Sequence, residues 1–142
     1  MKNYQDLKTR TKKFAANTWR MCNGLPNTNA YWAYSNQLIR ASSSVGANYR
    51  ASQRAKSTAD FINKLKIVEE EVDECSYFME LLLEINSDLE KTVTPLLKES
   101  NELLAITVSS LKTARFKKSC TSNLLPLTYF NVSEENHSLS RY

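Results

Sequence analysis

From Phe61 to Leu82 the apolar residues Phe61, Leu65, Val68, Val72, Cys75, Met79 and Leu82 step by four and three without a break. That spacing averages 3.5 residues, the period of a helix that keeps one face against a partner helix along its whole length. Just ahead of it, Ser57-Thr58-Ala59-Asp60 resembles a capping box with Asp in place of Glu, in which hydroxyl and carboxylate satisfy the first orphan N–H groups of a helix. Asn86-Ser87-Asp88 breaks the pattern. The rod between them spans about 40 Å at 1.5 Å per residue. A seam of that length requires other long helices to close on it.

Three further segments supply them. Leu7, Phe14, Trp19 and Met21 fit one broad face of a helix from Tyr4 to Cys22, which Asn23-Gly24-Leu25-Pro26-Asn27 stops. Tyr34, Leu38, Ala41, Val45, Asn48 and Ser52 mark a second helix over roughly Asn29 to Arg54. After the break at Asn86, the residues Val93, Leu96, Leu97, Leu103, Leu104, Val108 and Leu111 mark a fourth, with Pro95 at a first-turn position. Only 2 Gly and 3 Pro occur in 142 residues, against average usage of roughly 7% and 5%, so a turn-rich sheet fold is excluded. Short connections make sequential neighbours antiparallel. The expected fold class is all-α, an antiparallel up-down-up-down four-helix bundle over residues 1–118 with a flexible C-terminal tail over 119–142.

Much chemistry is excluded by composition. His137 is the only histidine and lies near the C-terminus in a Ser/Asn-rich stretch, so neither a Ser-His-Asp site nor a di-iron bundle with paired Glu-x-x-His motifs can be assembled. Gly24 and Gly46 are isolated, and no phosphate-cradling glycine loop is present. Cys22, Cys75 and Cys120 are odd in number and widely spaced, which fits reduced thiols and neither a disulfide framework nor a metal knuckle. No apolar run approaches the ~20 residues that cross a bilayer, and the opening Met-Lys-Asn-Tyr-Gln-Asp lacks the apolar stretch of a secretory signal. A cytoplasmic protein without catalytic residues, metal, cofactor or membrane partner is expected.

The net charge of +4 hides a polar distribution. Residues 1–36 and 37–66 each carry six Lys/Arg against one Asp, residues 67–90 carry nine Asp/Glu and no base, and residues 91–118 carry six bases against two acids. Antiparallel packing gathers Arg50, Arg54, Lys56, Lys64 and Lys66 at the corner between the second and third helices, and Arg10, Lys12 and Lys13 of the first helix are candidates to join them. Such a patch releases counterions on meeting a polyanion, so it would bind RNA or DNA with little sequence preference and strong salt dependence. The competing reading is a protein-interaction scaffold that uses the acidic stretch of the third helix and the C-terminal tail.

Arg40 lies mid-helix, away from that corner. Reflecting the second helix onto the third about a turn near residue 56 places it opposite roughly residue 72, so an interhelical ion pair with Glu71 and Glu74 is expected, fixing register more than adding stability. Ser42, Ser43, Ser44, Gly46 and Ala47 form a slim face beside it. Gly46 costs about 1 kcal/mol against Ala in a helix interior, which close approach of a neighbouring helix explains better than flexibility does.

Gln37-Leu38-Ile39-Arg40-Ala41-Ser42-Ser43-Ser44-Val45-Gly46-Ala47-Asn48, followed by Asp60-Phe61-Ile62 and Leu65, resembles the four-helix bundle protein family, also called 23S rRNA intervening-sequence proteins. The similarity extends through Glu69 to Glu74 and into Glu102-Leu103-Leu104, covering about residues 4–116. Many relatives carry a Glu-Gly pair after Ala-Asn, where this chain has Tyr49-Arg50-Ala51, so no role of that Glu is carried over. The resemblance implies an up-down bundle that assembles as a ring-shaped homopentamer, with reading frames often lodged in insertions within large-subunit ribosomal RNA genes. A similar fold serves as the accessory protein of diversity-generating retroelements, a basic pentamer that binds nucleic acid and a reverse transcriptase. By that analogy a nucleic acid and a protein partner such as a reverse transcriptase are expected.

Overall fold

The computed structural model describes residues 6–138, with side chains described as far as residue 123. Four helices run in chain order: α1 (Leu7–Asn23), α2 (Asn29–Ser52), α3 (Thr58–Ile85) and α4 (Glu90–Ser138), the last entered through a single 3-10 turn at Ser87–Leu89. No strand occurs among the described residues. The packed pairs are α1 with α2, α2 with α3, α3 with α4, and α4 back onto α1, which closes an antiparallel four-helix bundle.

Local chemistry sets the boundaries. Asp6 accepts from the Lys8 amide at the start of α1, Thr28 from the Tyr31 amide at the start of α2, and Ser57 from the Asp60 amide at the start of α3. The capping box at α3 closes one residue further back than its usual form, because the Asp60 carboxylate accepts from the Lys56 amide at 3.1 Å. Asn86 accepts from the Asp88 amide and turns the chain into α4. That cap starts α4 earlier than its apolar pattern indicates, so Pro95 falls in the second turn rather than the first, where it removes a hydrogen bond to Lys91.

The α3 seam is the centre of the core. Val72, Cys75, Met79 and Leu82 are fully buried and Leu65 and Val68 nearly so, while Phe61 stays half-exposed at the bundle's end. Leu38, Ala41 and Val45 of α2, Val93, Leu96 and Leu103 of α4, and Phe14, Met21 and Cys22 of α1 pack into the same cluster with Leu25. Helix α1 departs from the expected face. Its buried positions are Thr11, Phe14, Thr18, Met21 and Cys22, and Trp19 points outward. Five residues separate Trp19 from Phe14, a rotation of about 140°, so the indole falls off the seam that Phe14 defines. Threonine can take the inner positions because each hydroxyl bonds to a helix carbonyl, Thr18 to Phe14 at 2.9 Å and Thr11 to Lys8 at 3.3 Å.

On α4 the inner stripe runs Val93, Leu96, Ser100, Leu103, Thr107, Leu111 and Ala114. The Ser100 hydroxyl is buried against Ser76 of α3 at 2.8 Å and bonds to the Val72 carbonyl at 3.1 Å, so this polar position pins α3 to α4. The helix does not end near Lys118. It continues to Ser138, and every residue from Arg115 to Asn123 is exposed. Side chains of the apolar stretch 124–130, and all of residues 139–142, lie outside the described residues.

Candidate nucleic-acid interface

From Leu7 to Ala59 the chain contains no Asp or Glu. Helices α1 and α2 therefore make an acid-free half of the bundle, and the acidic groups begin on α3. The two halves are stitched by two arginines. Arg10 of α1 donates from Nε to Glu99 of α4 at 2.6 Å and from Nη2 to the other oxygen of Glu99 at 2.8 Å, and Nη2 also reaches Glu102. Arg40 of α2 donates from Nη1 to both oxygens of Glu71 at 3.2 Å and from Nη2 to Glu74 at 2.6 Å. The carboxylate hydrogen bonds, from Glu99 foremost, hold the Arg10 guanidinium above its ordinary pKa. Glu74 and then Glu71 do the same for Arg40.

This geometry sorts the expected binding residues. Arg10 does not belong with them. Its charge is committed to two carboxylates in a partly buried seam, so it is a bundle staple and not a surface cation. The remaining candidates from α1, Lys12 and Lys13, are exposed. At the α2–α3 corner Arg50, Arg54, Lys56 and Lys66 are exposed and Lys64 is half-buried. Arg54 and Lys56 stand in the turn itself, where the Arg54 and Ala55 amides bond back to the Ala51 and Ser52 carbonyls. The backbone of this turn is thus fixed while its cationic side chains reach into water.

One contributor was missed in the sequence. The later part of α4 returns to this same corner, and Lys117 lines a cleft of about 620 Å³ together with Ser52, Gln53, Ser57 and Phe61. The signal was present, since no acid occurs between Glu102 and Glu134 while Lys112, Arg115, Lys117 and Lys118 do. Antiparallel order then takes that charge to the end where α3 begins. Among the described residues no three His, Cys, Asp or Glu side chains converge as a metal site. None of the described helices is long and apolar enough to cross a membrane.

The sequence pattern of the 23S rRNA-intervening sequence protein family matches residues 5–109, most of the bundle. The chain belongs to this family. Its fold is similar to the crystal structure, at 1.70 Å resolution, of a protein with unknown function from the S23 ribosomal protein family of Bacteroides thetaiotaomicron VPI-5482. The TM-score is 0.70 at 31% identity, and the match covers 75% of this chain and 99% of the other. No curated protein matches at a significant level. The 23S rRNA-intervening sequence pattern ends at residue 109, so Lys112, Arg115, Lys117 and Lys118 lie beyond the stretch that defines the family.

Proposed function

We propose that this chain is a non-catalytic, oligomeric bundle that binds RNA or DNA through the α2–α3 corner with little sequence preference. The observation that carries the reading is the acid-free run from Leu7 to Ala59, which leaves Arg50, Arg54 and Lys56 exposed at one corner with no carboxylate of α1 or α2 to neutralise them. Lys66, Lys12 and Lys13 extend the patch, and Lys117 adds to it from α4. Cations spread over a rigid helical surface suit phosphates, whose spacing is independent of base sequence. The resemblance to ring-forming relatives supports a homopentamer, in which each subunit repeats the patch and weak contacts combine through effective concentration.

The test is light-scattering mass with and without a short RNA at low and high salt. A mass several times 16.3 kDa that rises with RNA only at low salt supports the reading, and a monomer unchanged by RNA at low salt defeats it.

A second reading has its own observation. Glu70, Asp73, Tyr77, Glu80 and Glu84 step by three and four along the exposed face of α3, with the Tyr77 ring 58% exposed among the carboxylates. That stripe suits a basic protein surface, as on a scaffold that recruits a partner such as a reverse transcriptase. Pull-downs that survive nuclease treatment and fail on reversal of Glu80 and Glu84 would favour it.

A further inference from the structure

The chain has two tryptophans, and both line one cleft of about 440 Å³ where α1 turns into α2. Trp19 is 53% exposed and Trp32 67% exposed. Two indoles gathered around one hollow, rather than scattered singly, form the kind of exposed aromatic surface that a ligand can cover, because each forfeits the burial it would gain in a core. The rest of the wall is uncharged: Asn23, Asn27, Thr28 and Asn36 contribute carboxamides and a hydroxyl, and no Lys, Arg, Asp or Glu lines it. A phosphate or carboxylate would find no counter-charge inside. A flat, neutral group with amide-like edges would find both a stacking surface and hydrogen-bonding partners, which is the chemistry of an unpaired nucleobase.

The approach to the cleft carries the charge that the cleft lacks. Helix α1 contains no acidic residue, and Lys8, Lys12, Lys13 and Arg20 are all exposed along it. At about 100° per residue Lys13 and Arg20 lie about 100–120° round the helix from Trp19, whereas Lys8 and Lys12 fall within about 20° of it and lead from the end that holds the α2–α3 corner along its face. The 17 residues of α1 cover about 25 Å. We propose that the Trp19–Trp32 cleft is a base-stacking site for single-stranded nucleic acid whose phosphates follow these α1 cations from the corner. This rests on the nucleic-acid reading of the corner and adds to it a discrimination: unpaired bases are held, while a duplex, whose bases are already stacked, is not.

Because both tryptophans stand in the cleft, tryptophan emission excited beyond the tyrosine band reports on that site alone. A labelled, unstructured short RNA is titrated into the full chain, with anisotropy of the label read for binding and tryptophan emission for stacking. An abasic phosphodiester of equal length and a duplex of the same sequence are the controls. All three should bind at low salt, only the RNA single strand should quench the tryptophans, and Trp19→Ala/Trp32→Ala should weaken the single strand about tenfold or more while sparing the abasic strand. Since both indoles are surface groups, circular dichroism should show an unchanged bundle. Binding without quenching overturns the stacking site and leaves the corner standing. No binding by any probe overturns both. Emission that changes with protein concentration alone assigns the cleft to a second copy of the chain and overturns the proposal.

Discussion

Arg10 and Glu99 are joined by a two-pronged ion pair across the α1–α4 seam, Nε to one carboxylate oxygen at 2.6 Å and Nη2 to the other at 2.8 Å. It has a counterpart across the α2–α3 seam in Arg40 with Glu71 and Glu74. In both cases the acid-free hairpin supplies the cation and the other half supplies two carboxylates. The bundle is therefore held in register by charge at the two boundaries between the acid-free hairpin and the helices that carry carboxylates. The stitches differ in burial: the Arg10 and Glu99 side chains are 22% and 28% exposed, whereas Arg40 is 50% exposed.

That difference has a measurable consequence. Arg10→Met should lower the unfolding free energy by about 1–2 kcal/mol, since a bidentate, partly buried pair loses its partner and Glu99 is stranded. A double-mutant cycle with Glu99→Gln should return a larger coupling than the cycle of Arg40→Met with Glu74→Gln, which solvent screening holds below about 1 kcal/mol. Chemical denaturation of the variants checks both. Equal couplings would contradict the assignment of the stronger staple to α1–α4.

Gly46 offers the opposite sign. A Cβ built there meets the Thr11 backbone carbonyl and hydroxyl at 3.7 Å, ordinary van der Waals contact. The close helix approach expected from the sequence is present, but it leaves room for one methyl group. Gly46→Ala should stabilise the bundle by up to about 1 kcal/mol, or ~3–5 °C in Tm. Gly46→Leu should destabilise it by forcing α1 from α2. Thermal melts of the two variants on opposite sides of the parent would fit, and a destabilised alanine variant would not.

The three thiols should behave unequally. Cys22 and Cys75 are buried and Cys120 is exposed. Burial, helped by the nearby Glu71 and Glu74 charges, pushes the Cys75 thiol up to about 12 from 9.0, and burial also raises that of Cys22. A thiol reagent should modify Cys120 promptly in the native protein and the other two only on unfolding. The neutral buried thiol contributes stability that is fully present below about pH 9 and is lost as pH rises from there through about 12, because the unfolded chain ionises first. Denaturation midpoints should fall over that window, less steeply for Cys75→Ala.

The α3 seam was legible because seven apolar residues at one period leave no other solution, and the Arg40 register followed from reflecting two helices about a capped turn. Trp19 is apolar but stands about 140° round α1 from Phe14, while the seam there holds Thr11 and Thr18, which carry no apolar signature. Ser100 and Thr107 were invisible for the same reason: a hydroxyl bonded to its own helix or to a neighbour packs inside without an apolar signature. Arg10 stood in a basic run, and its partner lies 89 residues away. No local pattern could separate it from Lys12 and Lys13. The length of α4 is hidden because, among the residues whose side chains are described, the buried stripe reaches Ala114 and every residue from Arg115 to Asn123 is exposed.

The most direct test of a cationic corner as the functional surface is the affinity of a short RNA measured by anisotropy across a salt series, for the parent chain and for Arg50→Glu/Arg54→Glu/Lys56→Glu. Affinity of the parent should fall linearly on a log–log scale, with a slope of about −0.7 for each phosphate neutralised, and the charge-reversed chain should lose binding at every salt concentration. Binding that ignores salt, or that the triple reversal leaves intact, would contradict it.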